Sequence, residues 1–215
     1  MIIDPEQIDQ ADRYKLLIGG IVPRPIAWVS TLSKRGEPNL APFSFFCGVS
    51  SRPMSLAFCP ANKPDGTLKD TLRNILETSD DGAGTNAPFV VNIVSMELAR
   101  QMAATAEELD HGSSEFDLAG LATAPSTSVA PPRVEAAALA FECLTISVTT
   151  LAPAEPGGGN IVVGRVQRVY ARDNLVTDRH HIDPAQLDAV GRMAGLTYCS
   201  TRDRFDIPWG RAALA

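Results

Sequence analysis

Apolar and polar positions along this chain fall into short β-like runs interrupted by one clear helical stretch. Residues 26–32 (IAWVSTL) and 39–49 (NLAPFSFFCGV) are rich in β-branched, aromatic and small apolar residues. The SKRGEP between them has turn chemistry, so the two runs predict a hairpin. MSLAFC at 54–59 predicts a third strand, which PANKPDG ends. The period then changes. Leu68, Leu72, Ile75 and Leu76 recur at helical spacing, and Thr67 with Asp70 matches a capping box, which predicts an amphipathic helix over 67–78. DDGAGTNA at 80–87 reads as a polar loop and PFVVNIV at 88–94 as a buried strand. A further helix is expected to begin at Ser95 and continue through MELARQMAATAEEL.

Residues 110–133 read as irregular. Two long strands follow, over 138–151 and 160–171, and the APAEPGGG between them suits an antiparallel pair. Residues 183–205 mix a short helical piece with loop. The order is β-β-β-α-β-α and then a long strand pair, without βαβ alternation. It predicts a mainly β protein with accessory helices, built on a mostly antiparallel barrel, and disfavours a doubly wound parallel sheet. No strand is followed by GxGxxG and no GxxxxGK[ST] is present, so GGG at 157–159 reads as a flexible turn and not as a phosphate cradle.

Length and charge narrow the function. The 215 residues show no internal repeat and read as one domain over 1–215. Acidic residues outnumber basic ones 25 to 19, for a formal charge of −6, which argues against nucleic acid as a partner because phosphate binding requires a basic footprint. The apolar runs are strand-length and the N-terminus lacks a basic, then apolar, leader, so neither a membrane span nor a secretory signal is expected and the location is read as cytoplasmic. Cys47, Cys59, Cys143 and Cys199 lack metal-ligand spacing and are expected to be free thiols. His180 and His181 are adjacent on an extended segment, where side chains point to opposite faces, so they are expected to face solvent and not to share a metal.

No nucleophile elbow or HExxH occurs, and three histidines give little support to a hydrolytic triad. An enzyme whose cofactor carries the chemistry needs mainly a shaped site, oriented hydrogen bonds and a charge clamp. The hairpin could supply these. Pro23 and Pro25 suit an edge, where missing donors cost little, Ser30, Thr31 and Ser44 offer hydroxyls, and Pro42 would interrupt the ladder and free backbone groups for a flat heteroaromatic ligand. The residues alone leave a second reading open, an ordinary edge hairpin with surface hydroxyls. The helix at 67–78 adds a possible phosphate site, with unpaired amides at its N-terminus, Lys69 in the first turn and Arg73 one turn later; a solvated helix face is the alternative.

Taken in order, PRPIAWVST, NLAPFSFF, KDTLRNILET, FVVNIVS, EFDLAGL, PPRVEAAALAFEC, VVGRVQRV and VGRMAGLTY resemble the flavin reductase-like family of FMN-binding split-barrel proteins, over roughly residues 15–200. This is the group that includes flavoredoxins and the small reductase components of two-component monooxygenases. The resemblance implies a six-stranded antiparallel Greek-key split barrel that forms homodimers, with FMN near the subunit interface. It implies FMN contacts from Trp28, Val29, Ser30 and Thr31 on the first hairpin strand and from Asn39, Ala41, Pro42, Phe43 and Ser44 on the second. Lys69 and Thr71 would hold the phosphate, Ser50, Ser51 and Arg52 could reach the ribityl-phosphate, and Arg192 with Tyr198 would close the site. DDGAGTNA stands where the family pattern leads us to expect a shorter connection. His111 is a catalytic candidate that would orient a nicotinamide or another acceptor, with a solvent-exposed loop histidine as the alternative.

The expected activity is that of an FMN-dependent oxidoreductase. NADH or NADPH would be the co-substrate, and a free flavin or a monooxygenase component the acceptor. The alternative from another class is an FMN-binding electron carrier, flavoredoxin-like, reduced by a protein partner.

Overall fold

The computed structural model describes residues 1–110 and 112–214. Its main sheet is built from β1 (Ala27–Leu32), β2 (Pro38–Phe43), β3 (Phe46–Ser51), β4 (Met54–Phe58) and β5 (Pro88–Ile93), together with two twelve-residue strands separated from them by two short ones. The short strands are β6 (Thr123–Ala124) and β7 (Arg133–Val134), and the long ones β8 (Leu139–Thr150) and β9 (Asn160–Ala171). The seven strands run in the order β2-β1-β5-β8-β9-β4-β3, and every neighbouring pair is antiparallel. The sheet's two edges, β2 and β3, are consecutive in the chain with only Ser44 and Phe45 between them. The sheet must therefore curl until its edges meet at that corner, which makes a split barrel. Sequence periodicity suggested one strand over 39–49, and the resemblance implied six strands in all. The seventh arises because the chain bends at the corner and β3 pairs with β4, a ladder extended by the Cys59 N–H donating to the Phe45 carbonyl at 2.9 Å.

Inside the barrel, Phe43, Phe58 and Phe89 stack in series with ring centroids 5.2 and 5.5 Å apart. Gly164 on β9 is required there, because any Cβ would collide with the Phe89 ring. Helix α2 (Asp70–Thr78; α1 is Gln10–Gly20) closes one barrel end by burying Leu72 and Ile75 on the helical face that its spacing predicts. A second core lies outside the barrel wall, where Trp28, Leu40, Val94, Leu98, Met102 and Phe116 meet.

Several expectations change here. Strand β1 is an interior strand between β2 and β5, so Pro23 and Pro25 do not mark an edge. They lie before the strand and flank Arg24, whose N–H and C=O bond Arg192 at 2.9 and 2.8 Å; the two missing donors fall on the other side of the chain. Helix α2 starts at Asp70 and lacks the expected box, because the Thr67 hydroxyl donates to the Asp65 carboxylate at 2.6 Å. The helix expected from Ser95 is a 3-10 turn over Met96–Leu98 followed by α3 (Ala99–Ala104). Thr105 ends it: its hydroxyl donates to the Met102 carbonyl and accepts from the Trp28 indole, both at 2.8 Å, which turns the chain inward. The stretch 110–133 contains α4 (Glu115–Leu118), and the C-terminal region contains α5 (Pro184–Leu187) with the hairpin β10 (Val190–Arg192) and β11 (Tyr198–Ser200). Helix α1 was not legible, since it buries no residue and so writes no apolar stripe.

The 80–87 insertion folds on itself. Thr85 and Ala83 bond the Asp81 carboxylate, and the Thr85 hydroxyl with the loop amides holds that carboxyl well below its usual range. Gly84, at φ +103°, sits where a side chain would strike Val148.

Candidate flavin cleft

A cleft of about 220 Å³ opens along the free edge of β2. One wall is β2 itself with the corner: Asn39, Ala41, Pro42, Phe43, Ser44 and Phe45. The facing walls come from Tyr14 of α1, from Ala61 and Lys63 in the loop before α2, from Lys69 and Asp70 at its N-terminus, and from residues 105–109 with Glu115. The Leu40 N–H donates to Glu115 Oε2 at 2.9 Å, so the even positions of β2 direct their backbone groups away from β1 and toward the cleft. Pro42 has no N–H to offer at the next such position. Beyond the Leu40 donor, the edge therefore presents carbonyl acceptors.

The electrostatics are balanced and not simply positive. Lys63 and Arg73 lie 3.7 and 3.4 Å from Asp70, and Lys69 lies 3.6 Å from Glu108, long contacts that an incoming anion can compete with. Lys69 precedes the helix without a side-chain cap, and the positive end of the helix dipole lies beside two ammonium groups. Burial pushes the Glu115 carboxyl above the usual glutamate range, and the Leu40 N–H opposes this.

The cleft brings together Asn39, Ala41, Pro42, Phe43, Ser44 and Lys69 from the sequence-derived set. It does not include β1. Trp28 is fully buried with its indole N–H on Thr105, Val29 lies in the barrel core, and Thr31 accepts from Asn74 Nδ2 at 3.0 Å. Ser30 donates to the Pro132 carbonyl at 2.5 Å. In the segment that leads to Pro132, residues 127–128 donate to the Glu142 carboxylate through three bonds of 2.6–2.8 Å. These four side chains are turned into the fold, and none of them lines the cleft. Thr71 lies behind the wall, accepting from Asn39 Nδ2 at 3.0 Å. Ser50 and Ser51 end β3 and Arg52 lies in the exposed turn to β4, all outside the cleft, and the two serines line a separate apolar hollow. Arg192 stacks on Tyr198 at 4.4 Å and donates to the Gly195 carbonyl, also outside the cleft. His111 lies outside the described residues.

Tyr14, Lys63 and Glu115 were missed. Lys63, six residues before Lys69 in a Pro/Gly-rich turn leading to a helix, carried a signal that could have found it; Tyr14 and Glu115 reach the cleft from distant segments. Among the described residues, no group of three or more His, Cys, Asp or Glu side chains could hold a metal ion, and no helix is long and apolar enough to cross a membrane.

A curled antiparallel sheet with a cleft along its open edge defines a split-barrel protein. The profile described as "Flavin reductase like domain" matches residues 19–200, and the chain belongs to that family of flavin-binding oxidoreductases. An uncharacterized protein of Deinococcus radiodurans is 39% identical over 220 residues, covering 99% of this chain and 90% of the relative. Among solved structures, nitrilotriacetate monooxygenase component B from Bacillus cereus superposes with a TM-score of 0.87 at 30% identity, covering 96% of this chain and 98% of that one. The 2-nitrobenzoate 2-nitroreductase NbaA of Pseudomonas fluorescens gives 0.84 at 27%, covering 98% and 96%.

Proposed function

We propose that the cleft along β2 binds FMN and that the chain is an NAD(P)H-dependent flavin reductase delivering electrons to a free flavin or to a monooxygenase component. The observation that carries this reading is the meeting of Lys63, Lys69 and the uncapped N-terminus of α2 with the acceptor-rich edge of β2. The residues fit the group. The two lysines and the positive end of the α2 dipole suit a phosphate dianion, β2 carbonyls suit the ring N–H, and Tyr14 and Phe45 offer aromatic surface. When bound, FMN would supply the hydride and electron chemistry; the chain supplies binding, orientation and exclusion of water. The likeness to a monooxygenase component B supports the choice of acceptor.

The cleft is smaller than the roughly 300–1,000 Å³ usual for ligand sites, so one chain leaves part of a flavin uncovered. The same reading has the chain act as a homodimer. Strand β3 is exposed from Cys47 to Ser51 beside an apolar hollow lined by Phe46, Leu56, Ile93 and Phe141, a surface suited to a second copy. FMN titrated into the apo-protein is expected to lose fluorescence, and anaerobic NADH or NADPH to bleach the bound flavin. Failure of both nucleotides to bleach it would sink the reductase reading, and a monomeric mass by sedimentation would sink the dimer.

A further inference from the structure

Arg24 is a buried cation whose role the fold alone does not explain. It is 4% exposed, and among the described residues no carboxylate pairs with it. Its fork is spent on neutral acceptors: Nη1 donates to the Ile18 and Ile21 carbonyls, both at 2.7 Å, Nη2 to the Met193 carbonyl at 3.0 Å, and Nε to Ser44 Oγ at 3.2 Å. The guanidinium also lies 5.9 Å from the Phe45 ring centroid. Burying a charge without a countercharge is expensive, and a tie between carbonyls could be made by neutral donors. Arginine nevertheless stays protonated, so a fixed positive charge stands one side chain behind the cleft wall at Ser44 and Phe45. Arg192, paired with Arg24 through the backbone, adds to that positive field and does not cancel it.

The position along β2 matters. Asn39, bonded to Thr71 of α2, marks the phosphate end, and Ser44 lies five residues further on, roughly 17 Å at strand rise. A ligand anchored at Lys69 and laid along this edge would bring its ring to the Arg24 end. Two electrons and one proton added to a flavin, here from dithionite, leave one extra negative charge on the ring at neutral pH. A nearby fixed cation favours that form over the oxidised one.

We infer that Arg24 is a positioning residue whose charge, acting through the Ser44–Phe45 wall, makes the site prefer reduced over oxidised FMN; this rests on the flavin reading of the cleft. The test measures the midpoint potential of FMN bound to wild type, Arg24→Gln and Arg24→Lys by dithionite titration against a reference dye, with thermal stability recorded alongside. Arg24→Gln is expected to lose the preference for reduced FMN at least tenfold, which is about 30 mV for a two-electron couple. Arg24→Lys is expected to keep the potential close to wild type while losing stability, because a lysine cannot reach all four acceptors. Equal potentials for wild type and Gln, or equal shifts for Gln and Lys, overturn the inference. Should Arg24→Gln fail to fold, Arg24→His carries the same test within one chain. Relative to wild type at each pH, its preference should fall tenfold as the imidazole loses its proton between about pH 5.5 and 8, and a response parallel to wild type overturns the idea. A wild type that does not quench FMN overturns the cleft reading as well, whereas quenching with unshifted variants overturns this inference alone.

Discussion

Strands β1 and β2 are paired over their whole length in one hairpin, yet they do opposite work. Every side chain of β1 from Ala27 to Thr31 is buried, and its polar groups are already bonded to Thr105, Pro132 and Asn74. Strand β2 has one neighbour only, and its other edge lines the cleft. Hydroxyls on a hairpin are therefore not a count of ligands. Whether a strand is flanked on one side or two decides whether its polar groups hold the fold together or remain free for a ligand.

That contrast can be broken by substitution. Trp28→Ala on β1 should cost about 3–5 kcal/mol in urea unfolding, because it empties the centre of the outer core, while the folded fraction keeps its FMN affinity. Ser30→Ala should cost about 1–2 kcal/mol, since it strands the Pro132 carbonyl, again without changing FMN affinity more than twofold. If either variant weakened binding tenfold in folded protein, β1 would belong to the site. On the cleft side the pattern should invert. Lys69→Met should weaken FMN binding about tenfold, close to 1.4 kcal/mol, and leave the melting temperature unchanged, because the half-exposed pair with Glu108 contributes little to stability.

The smallest effect concerns Glu115, which covers the open edge of β2. Its carboxyl titrates above the unfolded value, so its contribution is fully present below the ordinary glutamate pKa, about 4.3, and is lost as pH rises through the folded value. Glu115→Gln keeps an acceptor for the Leu40 N–H. It should be more stable than wild type at pH 7, with the difference vanishing near pH 4. A pH-independent difference in unfolding midpoints would show that burial does not govern this carboxyl.

Much of the fold was legible because periodicity records which face is buried. Strands β1, β4, β5, β8 and β9 and helix α2 all announced themselves through apolar spacing. Helix α1 did not, since it packs no side chain inward, and the break after Phe43 did not, since PFSFF reads as continuous strand on either side of the bend. Of the residues that the resemblance named, Asn39, Ala41, Pro42, Phe43, Ser44 and Lys69 line the cleft. The resemblance could not tell β1 from β2, because β1 is interior through its pairing with β5, which no local pattern encodes. Lys63 and Glu115 are remote from the hairpin in sequence and become neighbours of the cleft only through folding.

The corner at Ser44 and Phe45 also sets a rule for what this chain can tolerate. Side chains alternate along a strand with a period of two, and Phe43 points into the barrel core at the end of one edge while Phe46 begins the other. Removing or adding one residue between them would leave one edge intact and turn the other inside out. The length of this corner thus acts as a reading frame for the pleat, and loop variation among proteins built this way should avoid it while accumulating freely elsewhere, as at residues 80–87.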